Sequence, residues 1–172
     1  LTTHQVSAIR FKESDVRPTG MGAGGMRGIK LADDKDRVIG ANVVFEGSHL
    51  VTISDDGVAK TSPIAEYPVQ GRAGSGVIAM KLPQDSPGLA SACIVEKLDE
   101  PVIILTSKHR AKTIKAGTLP AAKRAGKGDI VIALGLKETI AALVTYQNIP
   151  TFEAAEYAAE TDAAQIEPAS SA

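Results

Sequence analysis

The sequence is poor in aromatic side chains. Phe11, Phe45, Phe152, Tyr67, Tyr146 and Tyr157 are the six among 172 residues, and there is no tryptophan. A platform that stacks unpaired bases needs a row of such rings, so single-strand nucleic-acid binding of that kind is excluded. Cysteine is nearly absent as well. A single thiol, Cys93, rules out a disulfide framework and any thiolate zinc cluster, and inside Ala92-Cys93-Ile94-Val95 it reads as a small buried hydrophobe. No apolar run approaches the ~18 residues that span a bilayer, so no membrane partner is expected. No secretory leader pattern opens the chain, and a reducing cytoplasm is the expected compartment. Net charge is also close to nil: 19 Lys plus Arg against 20 Asp plus Glu give −1. Taken as an average, that figure argues against a nucleic-acid partner.

Glycine is what the sequence has in quantity, 16 residues with nine prolines. So many turn formers favour a β-rich architecture over a helix bundle, and 44% apolar residues are enough for a core. The glycines gather in three boxes: Gly20 to Gly28, Gly71 to Gly76, and Lys123 to Gly128. Aligned on Gly25, Gly76 and Gly128, the boxes lie 51 and 52 residues apart (76 − 25 and 128 − 76). The register holds outside them, since Ala8, Ala59 and Ala111 align, as do Val16, Tyr67 and Leu119.

Each unit therefore reads as about four short strands. They are one directly after the box, one in the apolar run that follows (Val38–Val44, Leu89–Val95, Ile140–Tyr146), one of the Val51 type and one of the Ala59 type. Asp55-Asp56-Gly57 between the last two is a hairpin signal. A period near 50 with four strands per unit fits propeller blades, so the expected fold is all-β. The expected repeats span about 5–56, 57–108 and 109–148 within a region 1–150. The boxes lack the spacing of a phosphate-binding Walker loop, and no strand-to-helix crossover surrounds them as a dinucleotide fold requires. Nucleotide binding is not expected, and no cofactor is.

Ala8-Ile9-Arg10-Phe11-Lys12-Glu13-Ser14-Asp15-Val16-Arg17-Pro18, followed by Gly25-Met26-Arg27-Gly28-Ile29-Lys30-Leu31, resembles the C-terminal domain of the gyrase A protein of DNA gyrase. So does Glu66-Tyr67-Pro68-Val69-Gln70-Gly71-Arg72 followed by Gly76-Val77-Ile78. Lys123 to Gly128 is similar to that family's signature box, Gln-Arg-Arg-Gly-Gly-Lys-Gly, with Ala122, Lys123 and Ala125 departing from it. The resemblance covers residues ~5–148. It implies a β-pinwheel, a ring of about six blades that exchange strands with their neighbours. It also implies a non-catalytic module that bends duplex DNA around a basic outer rim in support of negative supercoiling. That module is part of an ATP-dependent type II topoisomerase, partnered by the gyrase A N-terminal domains and the gyrase B protein. The corresponding domain of topoisomerase IV is a close relative. Three boxes are present here, where the family has about six blades, and a homodimer of two half-rings is one way to close such a ring.

Charge, resolved along the chain, agrees with that implication. Residues 151–172 carry Glu153, Glu156, Glu160, Asp162 and Glu167 and no base, which leaves residues 1–150 with 19 basic against 15 acidic groups, net +4. Seven cations fall between 108 and 127 without an acid: Lys108, Arg110, Lys112, Lys115, Lys123, Arg124 and Lys127. Alternate residues of a strand share a face, so the first four are expected to form a stripe. Arg17, Arg72 and Arg124 recur close to the boxes and Lys60 aligns with Lys112; with Arg10, Lys12, Arg27 and Lys81 they complete the candidate DNA-binding set. Such a set suits the regular phosphate backbone and needs no base readout. The alternative is a propeller-like protein-interaction module, or a degenerate paralogue without DNA wrapping, and Met21 in place of the Arg of the other two boxes favours it.

The acidic segment 151–172 is expected to be a short helix or disordered, and to compete with DNA for the basic rim. No catalytic set is apparent. His4, His49 and His109 have neither metal-ligand spacing nor a matched nucleophile. Tyr67 reads as a packing residue; the tyrosine nucleophile of the resembled enzyme belongs to a winged-helix domain not represented in these residues.

Overall fold

The computed structural model describes residues 1–145; the expected acidic tail lies outside them. The strands are β1 (Thr2–Thr3), β2 (Ser7–Ala8), β3 (Val38–Gly40), β4 (His49–Ser54), β5 (Val58–Pro63), β6 (Val77–Ile78), β7 (Leu89–Val95), β8 (Pro101–Thr106), β9 (Ala111–Lys115), β10 (Asp129–Ile130) and β11 (Ile140–Thr145). Three antiparallel sheets result, in the orders β3-β1-β2-β6, β7-β4-β5-β10 and β11-β8-β9. The inner strands β3, β7 and β11 meet one another in sequence, so the sheets stand side by side as blades with their other ends pointing outward.

Each blade is built on a hairpin. β4 and β5 turn at Asp55-Asp56-Gly57, where Gly57 sits at φ +85, and β8 and β9 turn at Lys108-His109, where His109 takes φ +60. The apolar run after the box then adds the inner strand, β7 on β4 and β11 on β8. The short strand directly after the box does not join its own unit. β6 pairs with β2 through Ser7↔Ile78 and Ala8↔Val77, and β10 pairs with β5 through Val58↔Ile130 and Ala59↔Asp129. The two exchanges are in equivalent register. Both require glycine at the crossing point. A Cβ on Gly76 or on Gly128 would lie 2.4 Å from the carbonyl oxygen of Ala8 or Ala59, and Gly76 also holds φ +73.

Burial follows from this stacking. β4 is covered on both faces, with Val51 and Ile53 in the cluster between the second and third blades and Leu50 in the cluster between the first and second. Tyr67 packs in the latter with Met80, and its hydroxyl donates to the carbonyl of Ala79. Cys93 is buried beside Val51 and Val95, and burial pushes its thiol up to about 12. β8 alternates instead: Val102 and Ile104 are buried while Ile103 and Leu105 stay half-buried, because no further blade covers their face among the described residues.

Two ionisable groups are locked into the hairpins. Lys60 is fully buried, at 0% exposure, and its Nζ donates to Ser62 Oγ (2.7 Å) and to the carbonyls of Lys123 and Arg124 (both 2.8 Å). Burial lowers its pKa to about 8. The ammonium thus clips the third box onto the second blade. Glu138, with a side chain 2% exposed, accepts from Arg110 Nε (2.8 Å) and Nη2 (2.7 Å), from the Thr106 hydroxyl (2.6 Å) and from the Gly135 amide (2.7 Å). Those donors, Arg110 first, hold its carboxyl down at about 2.

Lys60→Met keeps the aliphatic bulk but removes the donor from two box carbonyls and from the buried Ser62 hydroxyl, and that loss outweighs relief from burying a charge. The variant should lose about 1–3 kcal/mol of stability, read from the midpoint of urea unfolding; an unchanged midpoint would contradict the clip. Glu138 has a depressed folded pKa, so its contribution is complete above the ordinary glutamate value of 4.5 and disappears as pH falls to about 2. Thermal midpoints measured across that window should fall less steeply in Glu138→Gln than in the parent chain. Parallel slopes would show that the carboxylate contributes nothing.

Candidate nucleic-acid interface

The outer ends of the blades carry the boxes and the short strands they donate, so the cations of these segments lie on the periphery. Lys12, Arg17, Arg27, Lys81, Lys115, Lys123 and Lys127 are all exposed. None of their side chains makes a hydrogen bond or ion pair among the described residues. Lys81 comes close to the third box through its backbone, whose N–H donates to the Gly126 carbonyl at 3.0 Å. Lys81, Lys123, Arg124 and Lys127 therefore gather at the junction of the second and third units. Arg27 and Arg72 meet at the junction of the first and second.

The box arginines have a second commitment. Arg72 donates from Nη1 to the carbonyl of Arg27 and from Nε to that of Asp15 (3.2 Å). Arg124 donates from Nη1 to the carbonyl of Ile78 at 3.4 Å. Ile78 and Arg27 are equivalent positions, 51 residues apart, so each box arginine staples itself to the short post-box segment of the preceding unit. A guanidinium has five N–H donors, and Arg124 keeps most of them for solvent. Arg10 is half-buried, with Nη1 on the carbonyl of Ile64 at 3.4 Å.

Three expectations about the set need correction. Lys60 is no rim residue: its ammonium faces inward onto box carbonyls, as described above. Arg110 is not a free cation either, because Glu138 and the Ala133 carbonyl hold its guanidinium (Nη2···O 2.9 Å). The stripe on the third hairpin is partly consumed as well. Lys108 donates to the Leu136 carbonyl (2.9 Å) and Lys112 to that of Val131 (2.7 Å). Lys115 stands at an odd register on β9 and belongs to the other face from Lys112.

Glu138 is the influential residue that the sequence did not flag. It lies 28 positions from Arg110, beyond the local run in which the cations were counted. Among the described residues no group of three or more His, Cys, Asp or Glu side chains is arranged to hold a metal ion, and no helix is long and apolar enough to cross a membrane.

The DNA gyrase C-terminal domain, beta-propeller, family model matches residues 7–44, 48–86 and 100–145. The chain is 34% identical over 141 residues to the DNA gyrase A protein of Aminobacterium colombiense, covering 82% of this chain and 17% of that protein. It is 35% identical over 138 residues to the DNA gyrase A protein of Mycobacterium tuberculosis, covering 79% and 16%. It thus spans less than a fifth of these relatives. Among solved structures, the C-terminal domain of DNA topoisomerase IV and the DNA gyrase A C-terminal domain each superpose with a TM-score of 0.76 at 21% identity. Each superposition covers 84% of this chain, and 45% and 48% of the respective domains. Each of the three matched segments contains one of the boxes, and the chain belongs to the DNA gyrase C-terminal domain family of β-propellers.

Proposed function

We propose that the chain is a DNA-wrapping module of the gyrase A protein of DNA gyrase, which bends duplex DNA along its basic periphery in support of negative supercoiling. The observation that carries this reading is the recurrence of unpaired cations at the outer blade ends, with Lys81, Lys123 and Lys127 clustered at one inter-blade junction. Cations along the outer ends of successive blades suit a regular phosphate backbone and are indifferent to base sequence. In this role the chain works in the cytoplasm within an ATP-dependent type II topoisomerase, beside the gyrase A N-terminal domains and the gyrase B protein. It supplies no catalytic group and needs no cofactor. Repeats near 5–56, 57–108 and 109–148 are its wrapping units, and the acidic segment 151–172 competes for the same surface.

Bending costs several kcal/mol per ~20–30 bp, so the few contacts of three blades imply weak, salt-sensitive binding. The protein-interaction reading is favoured by one observation: Arg110, Lys108 and Lys112 spend their donors on the protein itself.

Affinity for unrelated duplexes measured at several salt concentrations separates the two. The lysines of the junction serve better than Arg72 or Arg124, because they staple nothing. Changing Lys81, Lys123 and Lys127 to Gln should flatten the dependence of log K on log salt by about 1 per lysine, equally on every sequence. Absence of binding at low salt, or an unchanged slope, would sink the wrapping reading. Removal of residues 151–172 should tighten binding; unchanged or weaker affinity would refute the competitor role.

A further inference from the structure

Two features at opposite ends of the described chain are complementary. The first is the outer edge of β9. On the equivalent edge of the second blade, Thr61 N–H donates to the Pro120 carbonyl and the Ala122 N–H donates to the Thr61 carbonyl, both at 2.9 Å. The matching groups of Thr113, 52 residues on, have no backbone partner across the edge among the described residues. Ala8 and Ala59 are 4% and 1% exposed beneath their donated strands, whereas Ala111 is exposed. Lys112, the counterpart of the buried clip Lys60, reaches sideways to Val131 instead.

The second feature is the first box. Its Ala23 N–H donates to the Gly20 carbonyl at 3.0 Å, the same turn that closes the third box between Gly126 and Lys123 at 2.8 Å. Gly25 holds φ +72, matching the +73 of Gly76, yet nothing lies within 4 Å of its Cβ position where Gly76 meets the Ala8 carbonyl. Box 1 is therefore folded in the shape of a donor, with no acceptor against it among the described residues.

We propose that a second copy of this chain docks head to tail, laying its first box and the segment after it (residues 26–27) on the β9 edge, where that segment pairs as a strand. Equivalence with the two internal exchanges fixes the register. Ala111 pairs with Met26 of the second copy and Arg110 with Arg27, while Thr113 exchanges hydrogen bonds with Arg17 and Thr19. Lys112 swings onto the carbonyls of Gly20 and Met21. Arg27 then comes opposite Arg110, whose charge Glu138 already pairs. The chain spans 45% and 48% of the two solved C-terminal domains, so two copies in succession make up about one such domain. A two-fold axis through the centre lets both junctions form at once, and both open edges are closed. Met21 stands where Arg72 and Arg124 staple the internal junctions, so this junction lacks that hydrogen bond.

Light scattering on the 172-residue chain without DNA tests the proposal. The expected mass is twice 17.8 kDa. Gly25→Val, whose Cβ meets nothing within 4 Å among the described residues but disfavours the left-handed turn, should be monomeric with an unchanged circular dichroism spectrum. Met21→Arg should restore the staple at both junctions, about fivefold each, and tighten the dimer about 25-fold. A parent chain that stays monomeric at high micromolar concentration overturns the proposal. So does a dimer indifferent to both substitutions, which would mean that the copies associate elsewhere.

Discussion

Every blade of this protein depends on an edge it cannot close by itself. The hairpin and the inner strand leave the outer row of N–H and C=O groups open, and in the first two blades the next unit covers that row with two residues placed by a glycine. The approach of Gly76 and Gly128 to the carbonyls of Ala8 and Ala59 leaves no room for a Cβ. Consequences spread from that contact. Val51, Ile53 and Leu50 gain cover on both sides of one strand, Lys60 is trapped under the third box, and Arg72 and Arg124 reach across each junction. The third hairpin, with no strand on its edge among the described residues, shows the difference: Ala111, Lys112 and Thr113 are exposed where Ala59, Lys60 and Thr61 are buried.

Much of this architecture was legible because its signals are local. Glycine boxes 51 and 52 residues apart, an Asp-Asp-Gly turn and recurring apolar runs each report on a few neighbouring residues, and the strands lie where that spacing put them except after the first box, which no strand directly follows. The fate of individual cations was not legible. Lys60 and Lys112 occupy equivalent positions, and which is buried depends on a box 63 and 64 residues away in the first case and on its absence from that edge in the second. Arg110 looked like part of an acid-free stretch, but folding brings Glu138 against it. The position of Lys115 on the opposite face was open to parity counting, since a strand alternates with period two.

The same arithmetic sharpens the electrostatic picture. Net charge near zero hides a repeat region near +4, and the fold divides those cations again. Some serve as internal fasteners, donating to carbonyls or to Glu138. Others, at the junction of Lys81 with the third box above all, have no side-chain partner among the described residues. Cations of the second kind are the ones able to exchange counterions for phosphate, and the scarcity of aromatic rings leaves backbone contact to duplex as the mode that fits them.

Bending separates a wrapping surface from one that merely attracts DNA. A duplex of about 30 bp labelled at both ends with a fluorescence-transfer pair reads it directly. The account predicts that transfer efficiency rises as the chain saturates the duplex, whatever its sequence, and falls back as salt is raised. Saturation with no change in end-to-end distance would contradict it.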